Sequence, residues 1–75
     1  MNEKKKRLVQ LGQELACIGI ERETARRTLE ELVAQGVSYT SEEMLQALQC
    51  CQLAEARWTK TETEYLALRK EITKQ

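Results

Sequence analysis

Apolar side chains recur at alternating steps of three and four residues along most of this chain, and the pattern is interrupted once. The first run is Leu8, Leu11, Leu15, Ile18, Arg22, Ala25, Leu29 and Leu32. The second run is Met44, Ala47, Cys51, Ala54, Trp58, Thr61, Tyr65, Leu68 and Ile72. Such steps place residues on one face of an α-helix, and the chain has no proline to break one. The pattern predicts helices over about 3–35 and about 41–73.

The interruption, residues 36–40, reads Gly-Val-Ser-Tyr-Thr. Its glycine follows the first run where a helix ends on a left-handed residue, a conformation that costs glycine little. Thr40 and Glu43 have the spacing of a capping box, and Tyr39 and Met44 that of a hydrophobic staple. A turn this short makes the helices antiparallel neighbours. The sequence therefore predicts an all-α fold, a coiled-coil-like antiparallel two-helix hairpin forming a single domain over 1–75.

Antiparallel pairing about this turn predicts that residues whose numbers sum to about 76 face each other. The face with the apolar run then contains one charged residue, Arg22, beside Ala54 and Glu55. The same register brings Glu21 close to Arg57. We therefore expect two ion pairs between the helices, which fix register more than they add stability.

A chain of 75 residues buries so little surface that its core is marginal without further support. Disulfides are not expected to supply it, because three cysteines, Cys17, Cys50 and Cys51, are an odd number and no signal-peptide pattern precedes them. This usage indicates a reducing cytosol. A metal site is not expected either, because the chain has no His and no Asp. Oligomerisation remains, most simply a homodimer that completes a four-helix bundle.

A second apolar stripe beside the first predicts the surface for this association. Its members are Val9, Gly12, Ala16, Gly19, Leu45, Leu48 and Leu66. Glycine inside a helix costs about 1 kcal/mol relative to alanine, so the two glycines need a compensating contact. One interpretation is close approach of another helix, and the other is space for Trp58 and Tyr65 within the hairpin. Leu53 lies further round helix 2.

Several function classes lack the residues they need. Without His or Asp there is no Ser/His/Asp or Cys/His arrangement, and three isolated glycines make no phosphate-binding loop, so we expect no enzyme, cofactor or small-molecule substrate. Formal net charge is zero, and the basic segment 4–7 is interpreted as a solvated helix start, so no nucleic acid is expected. No apolar run could cross a bilayer, and no membrane is expected.

The cysteines and aromatic residues have a structural interpretation. Adjacent residues on a helix point about 100° apart, so Cys51 should lie on the apolar face and Cys50 at its edge. Cys17 lies too far along the axis from Cys51 for a disulfide inside one hairpin. We expect the cysteines to be small buried hydrophobes, with contacts between copies an open alternative. Trp58 and Tyr65 should pack between the helices rather than stack on bases.

Two resemblances concern architecture. In size and layout the chain resembles the small co-chaperones of type III secretion needle subunits, which implies binding to a second helical protein. The Spo0E-like aspartyl-phosphate phosphatases are also hairpins, with a Ser-x-Glu-Leu-Asp type signature on the second helix. The segment 41–45 reads Ser-Glu-Glu-Met-Leu, so Leu45 stands where the acid would be, which argues against phosphatase activity.

We therefore expect a non-enzymatic, cytoplasmic protein-protein interaction or adaptor module. Its partner would be itself, as a homodimer, or another helical protein whose amphipathic helix lies in an apolar groove. A small co-chaperone of a helical partner and a regulatory hairpin resembling the phosphatases are the alternatives.

Overall fold

In the computed structural model, which describes residues 2–74, the chain folds into two antiparallel helices. Helix α1 spans Glu3–Ala34 and helix α2 spans Glu42–Thr73, each with 32 residues. The hairpin is 53 Å long and about 15 Å wide, and the described residues contain no strand. The prediction of an all-α helical hairpin is confirmed. Next to the turn, α1 ends one residue before its predicted end and α2 begins one residue after its predicted start.

Helix α1 ends in a hydrogen-bonded cap built around Gly36. Gly36 has a φ of +74°. Its amide donates to the carbonyl of Val33 at 3.0 Å, and the next amide, that of Val37, donates to the carbonyl of Leu32 at 3.1 Å. These two bonds are the Schellman arrangement, which satisfies carbonyls that the last helical turn leaves free. The predicted role of Gly36 is confirmed.

Helix α2 begins one residue later than the capping-box prediction required. Its N-cap is Ser41, whose hydroxyl accepts a hydrogen bond from the Met44 amide at 3.2 Å and donates one to the Ser38 carbonyl at 2.7 Å. The Thr40 hydroxyl lies 2.9 Å from the Ser38 hydroxyl instead. Ser41 is preferred because its hydroxyl satisfies the helix and the turn together. The prediction of Thr40 as the cap was wrong.

This one-residue shift also removes the two features that depended on it. Glu43 becomes the second helical residue, so it no longer has the capping-box position. Tyr39 is 70% exposed and makes no staple. Glu42 and Glu43 still lie in the first turn, where negative charge interacts favourably with the helix N-terminus.

The two helices meet along a single seam formed by the two predicted apolar runs. Every member of both runs except Arg22 is buried or half-buried. Five hydrophobic residues of the described chain are buried, namely Leu11, Ile18, Met44, Ala47 and Ala54. Leu11 and Met44 are the largest completely enclosed side chains. A two-helix seam has no second layer above it, so apolar residues beside the seam stay at the surface.

Ion pairs across the seam confirm the predicted register. Arg57 donates to the Glu21 carboxylate at 2.6 Å, and the Arg22 guanidinium pairs with Glu55 at 2.5 Å. All four side chains are substantially exposed, so each pair contributes at most about 1 kcal/mol. Their contribution is to select this register over its neighbours.

Candidate interaction surfaces

The hairpin has two sides, and the seam defines which residues lie on each. In two antiparallel helices, residues that immediately follow a seam residue share one side, and residues that immediately precede one share the other. Eight large hydrophobic side chains remain exposed, namely Val9, Ile20, Val33, Tyr39, Leu45, Leu48, Leu53 and Leu66. We call the first side the flanking surface and the second the groove face. Exposed apolar residues occur on both.

The flanking surface contains all seven residues that the sequence predicted as an interface. The structure leaves five of them exposed to solvent: Val9, Ala16, Leu45, Leu48 and Leu66. They form two groups, one near the chain termini and one near the turn, because α1 and α2 run in opposite directions. Their membership of an interface stays a prediction.

The two predicted interface glycines are half-buried and face aromatic rings of α2. A Cβ atom on Gly19 would lie 3.1 Å from Cζ3 of Trp58, and one on Gly12 would lie 3.8 Å from Cε2 of Tyr65. Of the two sequence interpretations, the structure therefore supports the one in which glycine makes room within the hairpin. Trp58 is also covered by the Arg22 guanidinium, 5.1 Å from the ring centroid.

Charged residues separate the two apolar groups of the flanking surface. The Arg26 guanidinium contacts the Glu23 carboxylate at 2.6 Å and lies 3.8 Å from that of Glu30. The hydrogen bond and negative charge of Glu23, with the charge of Glu30, raise the pKa of Arg26. Arg22 and Glu55 lie beside this cluster around a hollow next to Trp58. The flanking surface is thus apolar only toward its ends.

The groove face contains an apolar hollow that the sequence analysis did not identify. This apolar groove has a volume of about 500 Å³ and is lined by Ile20, Glu21, Thr24, Ala25, Thr28, Ala47, Cys50, Leu53, Ala54 and Arg57. Its floor includes the buried Ala47 and Ala54, and at its edges Ile20 and Leu53 are 69% and 59% exposed. The sequence signal was three alanines at neighbouring seam positions of the two helices, with large apolar residues outside the seam.

A second hollow on the groove face lies nearer the chain termini and is polar. It has a volume of about 860 Å³, and its lining residues are Arg7, Gln10, Gln13, Glu14, Cys17, Ile18, Arg57, Lys60, Thr61 and Glu64. Acidic and basic side chains alternate along it. Arg57 belongs to both hollows, so they form one continuous face.

The cysteines differ from their predicted environment. All three lie within the described residues and are free thiols. Cys17 and Cys50 are exposed, so the expectation that they are buried hydrophobes was wrong, while Cys51 is half-buried at the seam as expected. Both exposed residues immediately precede a seam residue, and a two-helix fold has nothing to cover that position. Within residues 2–74, no three Cys or Glu side chains come together as possible metal ligands.

Two basic residues at the start of α1, Lys4 and Arg7, are paired with acidic residues of both helices. The Lys4 ammonium lies 3.7 Å from the Glu71 carboxylate, and the Arg7 guanidinium lies 3.4 Å from that of Glu64 and 3.6 Å from that of Glu14. The charges of Lys4 and Arg7 are therefore balanced by nearby carboxylates.

No protein-family model, curated protein or solved structure matches the chain. Neither α1 nor α2 has a stretch long and apolar enough to cross a lipid bilayer within residues 2–74.

Proposed function

We propose that this chain is a non-enzymatic protein-protein interaction or adaptor module that self-associates, with two hairpins forming a four-helix bundle. The observation that carries the proposal is the balance of apolar side chains. Eight large hydrophobic residues are exposed, while the described chain buries five hydrophobic residues, two of them alanines. These residues form separate apolar clusters on both sides of the seam, and burial of such clusters against another chain is favourable by roughly 25 cal/mol per Å².

The single seam gives a second reason for self-association. Domains this small usually need a disulfide, a metal or a partner, and the three thiols are free. A second hairpin supplies the missing layer, and two-fold homodimers are the commonest oligomers. Exposed thiols at Cys17 and Cys50 suit the reducing cytoplasm, which is the proposed location.

The adaptor part of the proposal rests on the presence of apolar residues on both sides of the hairpin. A dimer that buries one side leaves the other available to an amphipathic helix of a second protein. No nucleic acid, membrane, cofactor or small-molecule substrate is proposed as a partner.

A second candidate function is a co-chaperone that holds a helix of another protein without first dimerising. The apolar groove favours it, because a trough between two helices with an alanine floor can accept a row of apolar side chains. In this case Ile20 and Leu53 would contact the foreign helix.

The oligomeric state of the purified, reduced protein tests the proposal. Light scattering across a dilution series should give twice the chain mass of 8.7 kDa at high concentration, with high helicity by circular dichroism. A helical monomer at every concentration would contradict self-association. A poorly helical, aggregating chain would favour the co-chaperone, and co-purification from the native host would then identify its partner.

A further inference from the structure

We propose that the second copy binds on the groove face, with α1 of each copy lying on α2 of the other and both turns at the same end of the bundle. This inference rests on the proposed self-association and specifies the side, the axis and the contacts. The two-fold axis would run parallel to the helices, so that all neighbouring helices are antiparallel.

The shape of the apolar groove is the first argument. A two-fold interface uses the same patch on both copies, so that patch must contain both a protrusion and a hollow to receive it. Leu53, which immediately precedes a seam residue, and Ile20, which lies one position further round at the outer rim of the groove, protrude into solvent. The space between them is floored by the small side chains Ala25, Ala47 and Ala54. Two such patches can interdigitate, with the large residues of one copy entering the hollow of the other.

The register of this arrangement follows from the symmetry. The axis is parallel to the helices, so equivalent residues of the two copies lie at the same height. A residue of α1 is therefore level with the same α2 residues in the second copy as in its own hairpin. The number sum of about 76 therefore applies again, now between copies. Ile20 comes within one helical turn of Leu53 of the second copy.

Charge complementarity is the second argument. Toward the termini, the groove face carries Glu14 and Glu21 on α1 and Arg57 and Lys60 on α2. With α1 lying over the second copy's α2, Glu14 meets Lys60. Glu21 and Arg57, already paired within each hairpin, come beside the same pair of the second copy. Lys60 forms no ion pair with any residue between 2 and 74, so its charge is available to the second copy.

The flanking surface fits a second copy less well in the same arrangement. Glu23 would lie opposite Glu55 of the second copy, and Glu30 would lie against its Leu45 and Leu48. Like charges facing each other and a carboxylate buried on leucine both oppose association. Like charges also face each other on the groove face near the turn, where Glu31 lies opposite Glu43 of the second copy. The groove face is favoured because it alone, among the described residues, also brings opposite charges together, as in Glu14 and Lys60.

The available area is sufficient for a stable dimer. The hairpin is 53 Å long and 15 Å wide, so full overlap covers on the order of 800 Å² per copy, which matches a standard-size interface. The polar hollow would form one half of this contact and the apolar groove the other half.

Lysine substitutions on each side test which one is buried. Ile20→Lys and Leu53→Lys should each raise the dimer dissociation constant about 100-fold or more, since every dimer contains the new charge twice. Leu45→Lys is the matched control, because Leu45 is similarly exposed at 55% but lies on the flanking surface. It should leave the dissociation constant within about threefold of wild type.

Charge reversal with mixing tests the register and remains informative if a dissociated variant loses its helicity. Glu14→Lys and Lys60→Glu should each weaken the homodimer about tenfold, because two attractive pairs become repulsive. An equimolar mixture of the two variants places lysine opposite glutamate at both sites, so it should regain wild-type association and helicity as a heterodimer.

The outcomes separate this inference from the proposed function. Dimerisation that survives Ile20→Lys and Leu53→Lys but is lost in Leu45→Lys would overturn the groove face while leaving self-association intact. Loss of dimer in the groove variants without recovery in the charge-reversal mixture would overturn the parallel axis. A wild-type chain that is monomeric at every concentration would overturn both proposals.

Discussion

The packing around Trp58 depends on the missing Cβ of Gly19 and on the positive charge of Arg22. Gly19 has no Cβ, which lets the ring approach the backbone of α1, and Arg22 covers the ring on the same side of the seam. The indole Nε1 donates to the Glu62 carboxylate at 3.1 Å, so the polar edge of the half-buried ring is satisfied as well. Size, charge and hydrogen bonding at this position are therefore coupled.

Alanine at each helical glycine should separate helix propensity from ring packing. Gly12→Ala should raise the free energy of unfolding by up to about 1 kcal/mol, because its new Cβ would only reach ordinary contact with Tyr65. Gly19→Ala should gain less or nothing, because its Cβ would press on Trp58 at 3.1 Å. Urea unfolding followed by circular dichroism measures both. Equal stabilisation by the two changes would show that Trp58 does not rest on Gly19.

Truncation of a core leucine should be far more costly than truncation of an exposed one. Leu11 is 2% exposed, and Leu11→Ala should lower the free energy of unfolding by about 2–5 kcal/mol, a large part of the stability of so small a domain. Leu15→Ala and Trp58→Ala should also be destabilising, though by less than full burial would imply. Leu45→Ala is the exposed control. Similar midpoints for Leu11→Ala and Leu45→Ala would contradict the seam.

At the scale of the element, each helix is defined by how its ends are satisfied. Asn2 caps α1 by accepting a hydrogen bond from the Lys4 amide at 2.8 Å, and Gly36 closes the other end. At the start of α2, the Ser41 hydroxyl joins the helix to the turn. Since the turn fixes the relative position of the helices, this serine also affects the register of the whole seam.

Alanine substitution at the two candidate cap positions should give unequal effects. Ser41→Ala should lower the free energy of unfolding by about 1 kcal/mol, because the Met44 amide and the Ser38 carbonyl both lose a partner. Thr40→Ala, one residue earlier, removes a hydroxyl that is hydrogen-bonded only to the Ser38 hydroxyl and keeps the bond from the Thr40 amide to Ser38, so it should change stability by less than half as much. Thermal unfolding measures both. A larger effect at Thr40 would instead support Thr40 as the N-cap of α2.

At the scale of the whole molecule, the hairpin consists of one contact layer. Its buried residues form a line rather than a volume, and two of the five are alanines. The remaining apolar side chains can lose contact with water only through a second chain. Stability and association are therefore expected to be one equilibrium.

Unfolding should accordingly depend on protein concentration. For a dimer whose separate chains are unfolded, each tenfold increase in concentration adds about 1.4 kcal/mol of apparent stability. The urea midpoint should therefore rise across a 100-fold concentration range in the wild type. In Ile20→Lys, whose dimer is weaker, the midpoint should be lower than that of the wild type at every concentration, and Leu45→Lys is the matched control whose midpoints should follow those of the wild type. A wild-type midpoint that is independent of concentration would contradict coupled folding and association.

Local features of the sequence were sufficient to predict the helices, their antiparallel order and their register. Periodicity, the lack of proline and the conformational freedom of Gly36 are local properties, so they can be read without knowing what each helix contacts. The cap was misplaced by one residue because Thr40 and Ser41 are both good N-cap residues, and the turn carbonyl of Ser38 decided between them.

The shapes of the two surfaces became apparent only in the packed hairpin. Gly12 and Gly19 face rings of the other helix, and the apolar groove arises where small seam residues of both helices, Ala25, Ala47 and Ala54, lie between Ile20 and Leu53. These features depend on how two side-chain layers meet in space, which the spacing along one helix does not contain. The seam could be predicted because burial follows the helical periodicity of apolar residues. The shapes of the flanking surface and the groove face depend on the relative sizes of side chains that meet across the seam.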